Sequence, residues 1–140
     1  LQVPGVHFVD LQYSDCAEEI SDVRSRFGIE IHRWREVRDD FEETAAMVCA
    51  VDLVISVCTA VIHLSGALGR PVWIMAPFSP EWRYGIQGRT MPWYPSARLF
   101  RQPAYNAWEP VIADVAKSLR ELQDASAESL SQLPGPSSST

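Results

Sequence analysis

"LVISVCTAVIHLSGALGRPVWIMA", residues 53–76, decides the fold of this chain. Leu53 to Val57 form an apolar run, the form a strand takes when both faces of its sheet are covered. Thr59 to Leu68 predicts a helix, Gly69 supplies its stop signal, and Pro71 opens a second apolar strand, "VWIMA". A strand, a returning helix and another strand make a βαβ unit, so a parallel sheet flanked by helices is expected.

The same rhythm extends outward in both directions. "GVHFVDLQ", bounded by Pro4-Gly5 and Ser14-Asp15, predicts a strand. Asp15 is expected to cap the following helix, with Glu18 reaching back as its capping-box partner and Ile20, Val23 and Phe27 forming the apolar stripe. Gly28 stops that helix. "IEIHRW" reads as a further strand, and Phe41, Ala45 and Val48 mark one face of the next helix.

Downstream, Pro77 to Pro95 is rich in Pro, Gly, Trp and Tyr and is expected to be a long functional loop. "ARLFRQ" predicts a last strand. Trp108, Val111, Ile112, Val115, Leu119 and Leu122 keep helical spacing over four turns. The fold expected is α/β, a Rossmann-like parallel sheet with helices on both faces. Residues 1–125 are assigned to this domain and 126–140 to a disordered Ser/Pro-rich tail.

Composition narrows the function. Twelve Lys and Arg against eighteen Asp and Glu give a formal net charge of −6, with no basic run to track a phosphate backbone. Nucleic acid is therefore not an expected partner. Cys16, Cys49 and Cys58 are odd in number and widely spaced, which fits reduced cytoplasmic thiols better than a disulfide frame or a zinc site. No stretch approaches the roughly 18 apolar residues of a membrane span. The chain opens on Leu1 and runs almost directly into a strand, so an N-terminally truncated domain is expected.

In open α/β sheets, ligands sit beyond the carboxyl ends of the strands, where helix N-termini point. Val57 to Ala60 should occupy such a place, aiming unpaired N–H groups at an anion such as phosphate. Thr59 adds a hydroxyl. His63, four residues on, shares its helical face and can donate to a diphosphate oxygen, or it fills a helix–sheet contact with its ring nitrogens satisfied by backbone. Gly66 and Ala67 read as packing residues, as do Trp93, Tyr94 and Pro95. Cys58, at a helix start, has a second reading as a reactive thiol. No G-x-G-x-x-G follows the first strand, which argues against a dinucleotide enzyme.

"DLVISVCTAVIHLSGALGRPVW", "SPEWRYG" and "WYPSARLFRQ" together resemble the donor-binding domain of heptosyltransferase-like glycosyltransferases of the GT-B fold, nearest to those in bacterial tetratricopeptide-repeat proteins. The resemblance spans most of Val6 to Leu122. It implies the C-terminal half of a GT-B fold that binds a nucleotide-sugar donor for hexosyl or heptosyl transfer. Thr59, Ala60 and His63 match the positions that hold the donor diphosphate, and Glu18 the position that contacts its ribose. Gln12 and Tyr13 would flank the nucleoside or end a strand, and Trp82, Arg83 and Tyr84 would close over donor or acceptor, with Arg83 offering forked donors to phosphate, or anchor a solvated loop. Cys58 stands where many of these enzymes carry Asp, and Ala60 where they carry Gly.

No Asp-x-Asp occurs, so neither a metal nor another cofactor is expected. The catalytic base of such an enzyme belongs to the acceptor-binding half, so no catalytic residue is assigned here. The acceptor, glycan or protein, is left open, and upstream repeats and an acceptor domain are expected in a full-length protein. This part alone would bind its donor without turnover and self-associate through an unpaired sheet edge. The rival reading is a non-catalytic protein-interaction module that keeps the fold and uses its Trp-rich loop for partner contacts.

Overall fold

The computed structural model describes residues 3–34 and 40–131, the side chains of 129–131 excepted. The apolar run becomes β3 (Val54–Val57), followed by α3 (Ala60–Ala67) and β4 (Val72–Ala76). Before them come β1 (Phe8–Val9), α1 (Ala17–Phe27), β2 (Ile31–His32) and α2 (Phe41–Ala50). After them come a short 3-10 turn (Trp82–Tyr84), β5 (Thr90–Met91), β6 (Tyr94–Arg101) and the long α4 (Trp108–Ser131).

β3, β4 and β6 are parallel neighbours, with Val54 opposite Val72 and Val72 opposite Ala97. Period-two alternation splits β4 between two cores. Val72, Ile74 and Ala76 face Val48 of α2 and Val61 and Ile62 of α3. Trp73 points the other way, onto Phe100 and onto Val111, Val115 and Leu119 of α4. Helices thus cover both faces of this sheet, which explains why β3 and β4 are apolar throughout. On the α4 side the Arg98 guanidinium lies 4.7 Å from the Phe100 ring centroid and 5.5 Å from that of Trp73. That geometry lets a charged residue sit on an aromatic face of the core.

Several sequence expectations need correction. The sheet is mixed rather than purely parallel, because β5 runs antiparallel along the outer edge of β6, with an irregularity between Thr90 and Met91. β1 and β2 form a separate two-stranded parallel sheet with no ladder to β3 among the described residues. Pro77 to Pro95 is not a continuous loop: it holds the 3-10 turn, β5 and the start of β6. α4 continues to Ser131, past the expected tail boundary at 126, and residues 132–140 lie outside the described ones.

The helix ends show which local signals operate. Asp40, which the sequence reading passed over, caps α2 by accepting from the Glu42 and Glu43 amides at 2.8 and 3.4 Å. Gly69 ends α3 with φ +66°, and a Schellman pair of bonds, Arg70 N–H to Ser65 O and Gly69 N–H to Gly66 O, takes up its last carbonyls. Gly28 ends α1 in the same left-handed region. The start of α1 departs from expectation: Cys16 is the N-cap and makes no side-chain cap bond. Asp15 Oδ1 accepts from the first helical amide, that of Ala17, at 3.3 Å, and also pairs with Arg33 at 2.9 Å. α1 buries no residue, and Phe27 is exposed, so its apolar stripe only leans on the fold.

Candidate functional site

Because β3, β4 and β6 run in register, their carboxyl ends bring the turns after Val57, Ala76 and Arg101 to one edge of the sheet. This is where ligands bind in α/β sheets. The β3–α3 turn opens there. Cys58 is half-buried, while Thr59 and Ala60 are exposed at the start of an eight-residue α3. Thr59 caps the helix through its extended backbone, and its hydroxyl is engaged with Ser56 Oγ at 2.9 Å. The first amides of a helix have no internal acceptor, so this end faces solvent with donors to offer.

His63 lies one turn further in, half-buried, between two phenols. Its Nδ1 is 3.2 Å from the Tyr94 hydroxyl and its Nε2 3.3 Å from the Tyr84 hydroxyl. Both rings also pack against the imidazole, with centroids at 5.8 and 6.2 Å. The sequence leaves open a ligand-facing histidine or one satisfied by backbone, and the partners found are side chains instead. In this structure both ring nitrogens are satisfied internally, by two side chains from 21 and 31 residues downstream. Tyr94, expected only to pack, does so directly over Gly66 as well, where any Cβ would overlap its ring.

Tyr84 is buried and also bonds to Cys58. Burial pushes its phenol up to about 12, with the neighbouring thiol adding to the effect, so it stays a neutral hydroxyl. Cys58 is raised as well, chiefly by burial, although the Tyr84 bond and the Arg101 charge pull it back. That direction speaks against the reactive-thiol reading, since the thiolate is the nucleophile.

Arg101, at the end of β6, holds this arrangement together and carried no sequence signal. Its Nε donates to Gly88 O at 2.8 Å and Nη1 to Gly85 O at 3.0 Å, while Nη2 reaches Tyr84 O and Gln87 O. It has no carboxylate partner among the described residues. Desolvation lowers its pKa, with the Cys58 side chain acting in the opposite sense. Arg83, expected to reach for phosphate, instead pairs with Glu81 at 2.7 Å, and its Nε is buried without a partner. Trp82 and Trp93 stand 78% and 60% exposed and meet edge to face with centroids 6.2 Å apart. Trp93 therefore does not have the packing role expected of it.

The remaining predicted residues lie apart from this cluster. Gln12 and Tyr13, exposed beyond β1, line a shallow cleft with Asp10, Arg33, Trp34 and Thr44. Under it, Asp10 accepts from the Gln12 amide at 3.0 Å and the Cys16 thiol at 3.2 Å, and pairs with Arg33 Nε at 3.2 Å. Glu18 is exposed on the first turn of α1. Leu11 packs against the core that holds Val61 and Tyr84, but no hydrogen bond or ion pair joins Gln12 or Glu18 to Thr59 or His63 among the described residues. No cluster of three or more His, Cys, Asp or Glu suited to a metal ion occurs among them either. No helix there is long and apolar enough to cross a membrane.

Comparison with known proteins gives a partial answer. No family model matches the chain, and no solved structure does. Over 125 residues, 86% of the chain, it is 42% identical to "Protein FlbA" of Caulobacter vibrioides. The chain spans only 20% of that relative's length, so it is similar to one segment of a much longer protein.

Proposed function

We propose that this chain is the donor-binding layer of a heptosyltransferase-like glycosyltransferase of the GT-B type, taking a nucleotide diphosphate sugar. The observation that carries the reading is the exposed start of α3 at the carboxyl edge of a parallel sheet, with His63 one turn behind Thr59. The donor diphosphate lies against the first α3 amides and the Thr59 hydroxyl. There the helix dipole and the Arg101 charge, which also acts on Cys58, stabilise the departing nucleotide. His63 yields one phenol to a phosphate oxygen as the ligand enters. The acceptor and the catalytic base come from other parts of a longer protein, and this part alone binds without turning over.

The test is thermal melting with UDP-, ADP- and GDP-sugars at millimolar concentration, on the wild type and on His63→Ala. Stabilisation by one base class, weakened in a folded His63→Ala protein, supports the reading. No response to any donor removes it.

One observation favours the rival protein-interaction module: the two exposed indoles of Trp82 and Trp93, which meet each other. Large exposed aromatics mark partner surfaces as often as ligand sites. A partner that binds the wild type but not a Trp82→Ala, Trp93→Ala double variant, with no donor response, would favour it.

A further inference from the structure

We infer that Arg101 is a positioning residue for His63, acting through Tyr84, in whatever chemistry the carboxyl edge performs. Three observations converge. First, one guanidinium gathers four carbonyls, those of Tyr84, Gly85, Gln87 and Gly88, into a single node. Second, Tyr84 belongs to that node by its own carbonyl, while its hydroxyl reaches His63 Nε2 at 3.3 Å. Third, beyond Tyr84, which is buried in the core, and the 3-10 bonds from the Tyr84 and Gly85 amides, the stretch leans on the guanidinium. Gly85 and Gly88 take positive φ values of +60° and +79°, and Ile86 and Gln87 are exposed.

A planar fork with five donors in fixed directions suits such a node, whereas an ammonium on a flexible stem does not. Arg101 is anchored in turn as the last residue of β6, opposite Ala76 of β4. Position is thereby passed from the rigid sheet, through Arg101 and the Tyr84 carbonyl, to the phenol and on to the imidazole. Without the node, segment 84–88 loses its common centre, and the Tyr84 phenol, still buried in the core, loses the constraint that aims its hydroxyl at Nε2. His63 then keeps a firm bond only to Tyr94, and its ring orientation is set from one side. This inference concerns the geometry of His63 and rests on the glycosyltransferase reading only for what the imidazole finally touches.

The experiment is the ring nitrogen spectrum of His63 in the whole chain by two-dimensional NMR, without ligand. It compares wild type, Arg101→Lys, Tyr84→Phe and the double variant. Arg101→Lys keeps a positive charge and should move the His63 Nε2 resonance in the same sense as Tyr84→Phe, which removes the hydroxyl partner of that nitrogen. In the Tyr84→Phe background, Arg101→Lys should add no further shift, because the link is already cut. Donor-sugar affinity, where present, should fall roughly five- to tenfold in either single variant, the scale of one lost hydrogen bond.

An unchanged His63 spectrum in folded Arg101→Lys, or independent additive shifts in the double variant, overturns the inference. Should Arg101→Lys fail to fold, Tyr84→Phe still decides. It preserves the carbonyl node, so the His63 nitrogens must move while the Arg101 Nε–H signal stays, and silence at His63 is fatal. Because these spectra are read without nucleotide, a protein that ignores every donor sugar defeats the proposed function and leaves this inference standing.

Discussion

Tyr94 lies flat against Gly66, so that a side chain as small as a methyl at residue 66 would occupy the same space as the Tyr94 ring. The glycine is the penultimate residue of α3, three residues after the histidine that Tyr94 bonds. Helix propensity alone favours Ala over Gly in a helix interior by about 1 kcal/mol. Here overlap with an aromatic ring opposes that gain, and forced repacking costs about 1–3 kcal/mol. Gly66→Ala is therefore expected to lower stability in urea unfolding, and a stabilised variant would show that Tyr94 does not rest on this helix.

Arg33 links Asp10, Asp15 and the Ser14 carbonyl beneath the β1 cleft. The Asp10 side chain is only 6% exposed. Removing its cation strands a carboxylate away from water, the situation in which loss of one partner is costly. Arg33→Met should lower the melting temperature. Arg26→Met, which breaks an open helical pair with Asp22, should leave it nearly unchanged. Equal effects from the two variants would count against a buried network.

The three thiols should differ in reactivity. Cys49 is exposed, Cys16 is buried with its pKa raised by burial and by Asp10, and Cys58 is half-buried and raised. Mass spectrometry after brief alkylation at mildly alkaline pH should find Cys49 modified first, with Cys16 and Cys58 reacting fully only after denaturation. Early labelling of Cys58 would revive it as a nucleophile.

Tyr84 makes stability fall in alkali. Its phenol is pushed from 10.0 to about 12 in the folded chain, so the unfolded chain ionises first as pH rises. The contribution is complete below pH 10 and is lost as pH climbs toward about 12. Denaturation midpoints across that range should drop less in Tyr84→Phe than in the wild type, and parallel curves would refute the assignment.

How much of this was legible beforehand depends on the range of each interaction. β3, α3, β4 and α4 could be read because burial on two faces makes the strands apolar and burial on one face gives α4 its stripe. Gly69 was legible because a left-handed helix end needs a residue without a Cβ. The β5–β6 pairing was not, since β5 has two residues and β6 carries Pro95 near its start. Asp40 was available in the sequence as an Asp three residues before Glu43 and was passed over. At the site, the Thr59 and His63 spacing follows from helical geometry. Tyr84, Tyr94 and Arg101 leave no spacing signal, because their partners are reached through tertiary folding and those of Arg101 are main-chain carbonyls.

A phenol can give a proton to a nitrogen or accept one from it, and His63 has a phenol at each nitrogen. The imidazole takes one hydrogen bond and gives the other, and the two can trade roles with every heavy atom where it already stands. The ring is thus held in one plane and one position whichever of its nitrogens carries the proton.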